Sequence, residues 1–171
     1  TPGVGSCFAV TLPRSEMQPE SLNKRRTQRG QTLSQPLTGR TVLVIDNEKD
    51  ILVGMQSLLG GWGAEVVTGM TLDDAKEAIK ARSDIQVALI DYHLDDDALG
   101  VDVIAVLRAL RGDIECALIT ADRGEEMKQQ AKELGATVLH KPLKPAALRS
   151  WITQKLRGQP PPPSTNATDH K

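Results

Sequence analysis

The chain has 171 residues, of which 39% are hydrophobic and 25% charged, and its formal net charge is −1. This balance argues against bulk electrostatic binding to nucleic acid or to an anionic membrane. No apolar run reaches the ~18 residues that span a bilayer, and no signal peptide is visible. Cys7 and Cys116 have neither disulfide-framework nor metal-ligand spacing, so we expect a reducing cytoplasm. Because the chain begins with Thr1, we expect a segment of a longer protein.

The amino-terminal residues divide into a short strand and a linker. In residues 1–13, Phe8, Val10 and Leu12 alternate with smaller or polar residues, which predicts one strand. A single strand cannot fold alone, so we expect it to be disordered or to end a preceding domain. Residues 14–39 show almost no apolar periodicity and are predicted to be a flexible linker, whose basic cluster at 24–29 is solvated rather than bound to phosphate.

From residue 40 onward, apolar strand-like runs alternate with helical patterns. The predicted strands cover residues 42–45, 65–68, 87–91, 115–120 and 137–139, and apolar residues at helical spacing follow each one. Thr71 with Asp74, and Asp122 with Glu125, are predicted to cap the second and fourth helices. Strict alternation predicts right-handed βαβ units and a parallel sheet covered on both faces. No glycine-rich fingerprint follows the first strand, which argues against dinucleotide binding.

Polar side chains follow four of the five predicted strands. The carboxyl ends of parallel strands meet at one edge of a sheet, so we expect these residues to lie together: Asp46, Asn47, Asp91, Thr120 and Lys141. Two carboxylates and an amide can hold Mg²⁺, and one carboxylate can act as a nucleophile that forms an aspartyl phosphate. A hydroxyl and an ammonium can then neutralise charge on the phosphoryl oxygens. Each residue alone has an ordinary structural explanation, but the set favours a phosphoryl-transfer site.

Residues 41–156 resemble a response-regulator receiver domain. The segment VLVIDNEKDI is similar to the family's acidic-pocket strand, and ALIDYHLDDDALG to its phosphoacceptor strand. LITAD and LHKPLKP are similar to the strands that carry the switch threonine and the lysine. The resemblance implies a flavodoxin-like (βα)5 doubly wound parallel sheet with strand order 2-1-3-4-5. We therefore place the receiver domain at residues 40–157 and a disordered proline-rich tail at residues 158–171.

The resemblance also implies a role for each residue of the set. Asp91 is the phosphoacceptor, Thr120 reorients towards the phosphoryl group, and Lys141 pairs with that group. The Lys141–Pro142 bond is often cis in the family. The implied Mg²⁺ ligands are Asp46, Asn47, Asp91 and His93, the last through its backbone carbonyl while its imidazole faces solvent.

The chain departs from the family pattern at two positions. Asn47 stands where a second acid is usual, so we expect weaker Mg²⁺ binding than in an Asn47→Asp variant. Val138 stands where the family has an aromatic residue, so no rotating ring can report phosphorylation. We expect the signal to run through Thr120 and the loop and helix after it. The family's usual partner surface, on the fourth helix, is polar here and expected to be solvated: Lys128, Gln129 and Lys132.

A second resemblance concerns the chain's amino terminus. GVGSCFAVTLP is similar to the closing strand of a histidine-kinase ATP-binding domain, and the VIDNE start of the receiver is similar to receivers fused to kinases. Together these imply the carboxyl-terminal end of a cytoplasmic hybrid sensor histidine kinase. The implied partners are the kinase core, as phosphodonor, and a histidine phosphotransfer protein, with no nucleic acid and no direct membrane contact. The kinase's catalytic parts are absent, so this segment alone catalyses only its own aspartyl phosphorylation.

Three other functions are alternatives to a phosphorylated receiver domain. A non-phosphorylated docking domain that regulates the kinase core is favoured by Asn47 and Val138, whereas Asp91, Thr120 and Lys141 argue against it. A DNA-binding response regulator needs an output domain, and only fifteen residues follow the last helical pattern. A haloacid-type phosphatase needs a second acid two residues after its nucleophile, where this chain has a histidine.

Overall fold

The computed structural model describes residues 35–94 and 98–160, and within them strands and helices alternate strictly. The elements in chain order are β1 (Thr41–Ile45), α1 (Lys49–Gly61), β2 (Glu65–Gly69), α2 (Leu72–Ala81), β3 (Ile85–Asp91), α3 (Gly100–Leu110), β4 (Glu115–Thr120), α4 (Glu125–Glu133), β5 (Thr137–His140) and α5 (Pro145–Lys155). The five strands form a parallel sheet in the order β2-β1-β3-β4-β5. The predicted flavodoxin-like (βα)5 fold is confirmed.

The strand register brings the polar strand ends to one side of the sheet. Ile45 pairs with Ile90, and Asp91 pairs with Ile119 on the next strand. Thr120 pairs with His140, the last residue of β5. We call this side of the sheet the carboxyl edge, and the side where the strands begin the amino edge.

Two apolar layers cover the sheet, one on each face. Ala88 and Ile90 of β3 pack against the helices α2, α3 and α4, whereas Val87 and Leu89 pack against α1 and α5. All four side chains are fully buried. A central parallel strand is covered on both sides, which explains why its sequence is a continuous apolar run rather than an alternating one.

The two predicted helix caps have different outcomes. At α2, the Asp74 N–H donates to Thr71 Oγ1 at 3.1 Å and the Thr71 N–H donates to Asp74 Oδ2 at 3.0 Å, so the predicted capping box is confirmed. At α4 the prediction was wrong, because the N-cap residue is Gly124. Asp122 instead accepts the Gly124 N–H at 2.9 Å, a local turn that competes with capping.

Packed contacts occur on both sides of the expected receiver boundaries. Leu37, in the expected linker, is fully buried in the α1 and α5 layer, and its N–H donates to the Trp62 carbonyl at 3.0 Å. Arg40 donates to the carbonyl of Gln159, in the expected tail, at 2.5 Å. The predicted strand in residues 1–13, residues 14–34 of the linker and residues 161–171 of the tail lie outside the described residues. In the described part of the chain, no helix is long and apolar enough to cross a membrane.

Candidate functional site

Asp46 begins the site, directly after β1. Its side chain is buried, and Oδ1 accepts the Glu48 N–H at 2.9 Å. Burial raises the pKa of the Asp46 carboxyl, the backbone hydrogen bond from Glu48 opposes that rise, and the nearby Asp91 charge adds to it. Asp46 is therefore a carboxylate held in one orientation that a neighbouring cation would stabilise.

Asp91 ends β3 and lies beside a lysine. The residue is only 5% exposed, and its Oδ1 lies 2.7 Å from Lys141 Nζ. The same ammonium lies 3.8 Å from Asp46 Oδ2. One cation thus bridges two buried carboxylates that come from separate strands.

Lys141 is held by its backbone as well as by its charge. Its N–H donates to the Thr120 carbonyl at 2.8 Å, and the Lys141–Pro142 peptide bond is cis, as the family resemblance implies. Burial works to lower the pKa of the Lys141 ammonium, but the hydrogen bond and charge of Asp91, with the charges of Asp46 and Glu48, outweigh it and raise the pKa. Lys141 is therefore a permanent cation at neutral pH.

Thr120, the last residue of β4, supplies the hydroxyl. The residue is 1% exposed, and its Oγ1 accepts the Asp122 N–H at 2.9 Å. The hydroxyl is thus linked directly to the loop that leads into α4. On the neighbouring strand, Val138 is half-buried against the α2, α3 and α4 layer, so an aliphatic side chain occupies the position of the family's aromatic ring.

Two further predicted Mg²⁺ ligands, Asn47 and His93, are close in sequence to Asp46 and Asp91. Asn47 directly follows Asp46 and is half-buried. His93 is exposed, and its ring meets the Tyr92 ring edge-on with centroids 4.7 Å apart. Its backbone pairs with Leu99 in an antiparallel bridge. The imidazole thus lies on the solvent side, while the backbone of His93 is part of an ordered turn.

The donor set fits Mg²⁺. Mg²⁺ prefers oxygen ligands, keeps several waters and needs only one or two protein carboxylates together with substrate phosphate. Asp46 and Asp91 supply two buried carboxylates, and the raised pKa of Asp46 indicates a place for added positive charge. Among the described residues, no three His, Cys, Asp or Glu side chains form a metal-binding group. The two carboxylates therefore suit a hydrated cation completed by phosphate oxygens.

A comparison with known protein families matches residues 42–153 to the response regulator receiver domain. The chain belongs to this family. The match covers all five strands from Val42 and most of the last helix, so the receiver domain includes the whole carboxyl edge.

Solved structures agree with the receiver fold. A CheY-like receiver domain from Methanospirillum hungatei JF-1 is similar with a TM-score of 0.65 at 24% identity, covering 69% of this chain and 94% of that one. The chemotaxis protein CheY4 of Vibrio cholerae is similar with a TM-score of 0.61 at 26% identity, covering 68% of this chain and 98% of that one. A two-component response regulator from Clostridium difficile has a TM-score of 0.65 at 19% identity, covering 70% and 97%. No curated protein matches this chain significantly.

One residue at the site was not singled out from the sequence. Gly100 is the buried first residue of α3 and lies against the Asp91 carbonyl. A glycine directly before an apolar helical pattern is a signal for close backbone approach.

Proposed function

We propose that this receiver domain accepts a phosphoryl group from a phosphohistidine onto Asp91, with Mg²⁺. The observation that carries the proposal is the Lys141 ammonium, which joins the buried carboxylates of Asp46 and Asp91 at 3.8 Å and 2.7 Å. Two like charges held together at a sheet edge cost stability, and perturbed ionisable groups such as Asp46 cluster at functional sites. Asp91 is thus a pre-oriented oxygen nucleophile beside a fixed cation.

The domain itself supplies the nucleophile for the reaction. An oxygen of the Asp91 carboxylate attacks the phosphorus, the phosphorus–nitrogen bond of the donor breaks, and the imidazole leaves with its electron pair and takes up a proton. Bound Mg²⁺ supplies charge neutralisation on the phosphoryl oxygens. Lys141 remains beside the product as counter-ion, and the Thr120 hydroxyl is available to donate a hydrogen bond to it.

Formation of the acyl phosphate then changes the contacts of Thr120, at the end of β4, and of the loop that leads into α4. Thr120 Oγ1 accepts the Asp122 N–H at 2.9 Å, so a Thr120 hydroxyl that turns towards the phosphoryl group gives up this contact. The loop from Asp122 to Gly124 leads directly into α4. With a valine on β5 in place of an aromatic ring, this loop is the route by which the added charge biases the domain between two states.

The proposed setting is a cytoplasmic hybrid sensor histidine kinase. The GVGSCFAVTLP and VIDNE segments support a kinase core ahead of the receiver. That core is the proposed phosphodonor, and a histidine phosphotransfer protein is the proposed acceptor of the phosphoryl group.

A second candidate function is a docking domain that regulates the kinase core without being phosphorylated. The observation that favours it is Asn47, which reduces the negative charge available to a metal ion beside Asp46. In this case the site keeps the receiver geometry but not its chemistry.

A phosphate-affinity gel after treatment with acetyl phosphate distinguishes the two functions. We expect a shifted band for wild type only when Mg²⁺ is present, and none for Asp91→Asn. Asp113→Asn is the matched control, because this aspartate is exposed at the amino edge, and it should shift like wild type. If neither wild type nor Asp113→Asn shifts under any condition, the docking function replaces the proposal.

A further inference from the structure

Gly100 lies against the backbone of the proposed phosphoacceptor. A Cβ atom at this position would lie 2.3 Å from the carbonyl oxygen of Asp91 and 2.7 Å from Leu118 Cδ1. It would also lie 3.0 Å from the carbonyl carbon of Asp91. A flexible side chain could move aside, but a carbonyl cannot move without moving the residue that carries it. Any side chain at position 100 therefore displaces Asp91 or the start of α3.

The same glycine closes the turn that follows Asp91. Its N–H donates to the Tyr92 carbonyl at 2.8 Å, and the Leu94 N–H donates to the Ala98 carbonyl at 3.2 Å. Between these bonds, His93 pairs antiparallel with Leu99. The chain thus leaves Asp91, turns, and returns to it at Gly100. The position of the His93 backbone depends on this closure.

We infer that Gly100 is a positioning residue for phosphoryl transfer to Asp91. This inference rests on the proposed function and adds a residue to it. Gly100 has no side chain with which to act on a substrate. Its contribution is to let α3 approach the Asp91 carbonyl closely. This approach fixes the Asp91 carboxylate relative to Lys141, and it fixes the turn after Asp91 relative to these two residues.

Crowding alone does not distinguish Gly100 from other glycines of the domain. Gly63 is also crowded, since a Cβ there would lie 2.7 Å from Thr38 Oγ1, and its φ of +89° is strained for any other residue. Gly63 lies at the amino edge, just before β2. The two glycines therefore predict the same kind of loss in stability and different effects on phosphorylation.

The test measures the initial rate of Asp91 phosphorylation by acetyl phosphate at saturating Mg²⁺, with the folded fraction determined by circular dichroism. A misplacement of about 1 Å at a reacting group can slow a reaction up to about a hundredfold, so we expect Gly100→Ala to lower the maximal rate per folded molecule by about 10- to 100-fold. The effect should appear at saturating acetyl phosphate, because the acceptor and not donor binding is disturbed. Gly63→Ala, the matched control, should lose stability but keep the wild-type rate per folded molecule.

A double variant keeps the test decisive if Gly100→Ala does not fold. Leu118→Val removes the methyl group that meets the new Cβ, but the Asp91 carbonyl stays in the way. We expect Gly100→Ala/Leu118→Val to phosphorylate far more slowly than Leu118→Val alone. Equal phosphorylation rates in Gly100→Ala/Leu118→Val and Leu118→Val would overturn the role of Gly100 while the proposed function stands. The same holds if Gly63→Ala loses as much phosphorylation rate per folded molecule as Gly100→Ala. A wild type that takes no phosphoryl group overturns the proposed function and this inference together.

Discussion

Two buried aspartates at opposite edges of the sheet have opposite electrostatic environments. At the amino edge, Asp84 accepts hydrogen bonds from the Arg82 guanidinium at 2.5 and 2.9 Å and from the Thr41 hydroxyl at 2.6 Å. The Arg82 bonds, with the smaller effect of Thr41, outweigh burial and lower the pKa of Asp84 to about 2. At the carboxyl edge, burial raises the pKa of Asp46, which accepts one backbone N–H and shares Lys141 with Asp91.

Elsewhere at the amino edge, arginines also pair with buried or partly buried polar groups, as Arg82 does with Asp84. Arginine side chains bind backbone carbonyls where the strands begin and the helices end, so polar groups there are paired. Arg111 donates to the carbonyls of Ser83 and Ile85 at 2.7 and 3.1 Å. The carbonyls that Arg108 contacts belong to Gly112, Ile114, Leu134 and Gly135. The amino edge is thus stabilised by paired charges, whereas the carboxyl edge keeps an excess of negative charge.

The largest effect on folding in this comparison is expected from Asp84→Asn. This change removes a charged partner of Arg82, and we expect the free energy of unfolding to fall by about 2 kcal/mol in urea denaturation. Because the folded pKa of Asp84 is about 2 and its ordinary value is 3.8, its stabilisation is present above about pH 4 and is lost as the pH falls towards 2. Wild type should therefore lose more stability than Asp84→Asn across that window.

Asp113→Asn is the matched control for Asp84→Asn. Asp113 also pairs with an arginine, but its side chain is 70% exposed, whereas that of Asp84 is 11% exposed. Exposed ion pairs contribute little, so we expect a change of about 0.5 kcal/mol or less. Equal losses in the two variants would contradict the distinction between buried and exposed pairs at this edge.

Asp46→Asn should stabilise the folded domain, whereas Asp84→Asn should destabilise it. The amide keeps an oxygen that can accept the Glu48 N–H, but it removes a buried charge whose raised pKa shows that folding disfavours it. We expect the free energy of unfolding to rise at pH 7, while phosphorylation by acetyl phosphate slows. Thermal denaturation and the phosphate-affinity gel measure the two effects. A destabilised Asp46→Asn variant would contradict this prediction, since it would show that the Asp46 charge stabilises the folded domain.

Asn47→Asp is expected to change metal affinity rather than folding. This change adds a negative charge next to Asp46, at the edge where negative charge is already in excess. At a separation of about 6 Å in water, Coulomb attraction between one added negative charge and Mg²⁺ is about 1.4 kcal/mol, which predicts binding about tenfold tighter than in wild type. Titration calorimetry with MgCl₂ measures the affinity, and Asp113→Asn should match wild type. An unchanged affinity would show that Asn47 does not limit the metal site.

Much of the fold and part of the site could be predicted from local sequence patterns. Continuous apolar runs predict strands buried on both faces, and the residue after each run must lie at a strand end. Asp46, Asp91 and Lys141 could therefore be grouped at one edge before any distance was known. The capping box of Thr71 and Asp74 was equally predictable, because both partners lie within one helical turn.

The remaining features depend on which loops the folded sheet places side by side. The sequence alone does not show that Lys141 reaches two carboxylates, that Asp46 and Asp84 have pKa values shifted in opposite directions, or that Gly100 contacts the Asp91 carbonyl. The role of Asp122 is also not visible in the sequence. Its carboxylate could cap α4 or form a local turn, and the path of the loop determines that it forms the turn. Apolar periodicity is a property of neighbouring residues and can be seen in the sequence. Charge balance and backbone contact depend on distances between residues that only the tertiary structure brings together.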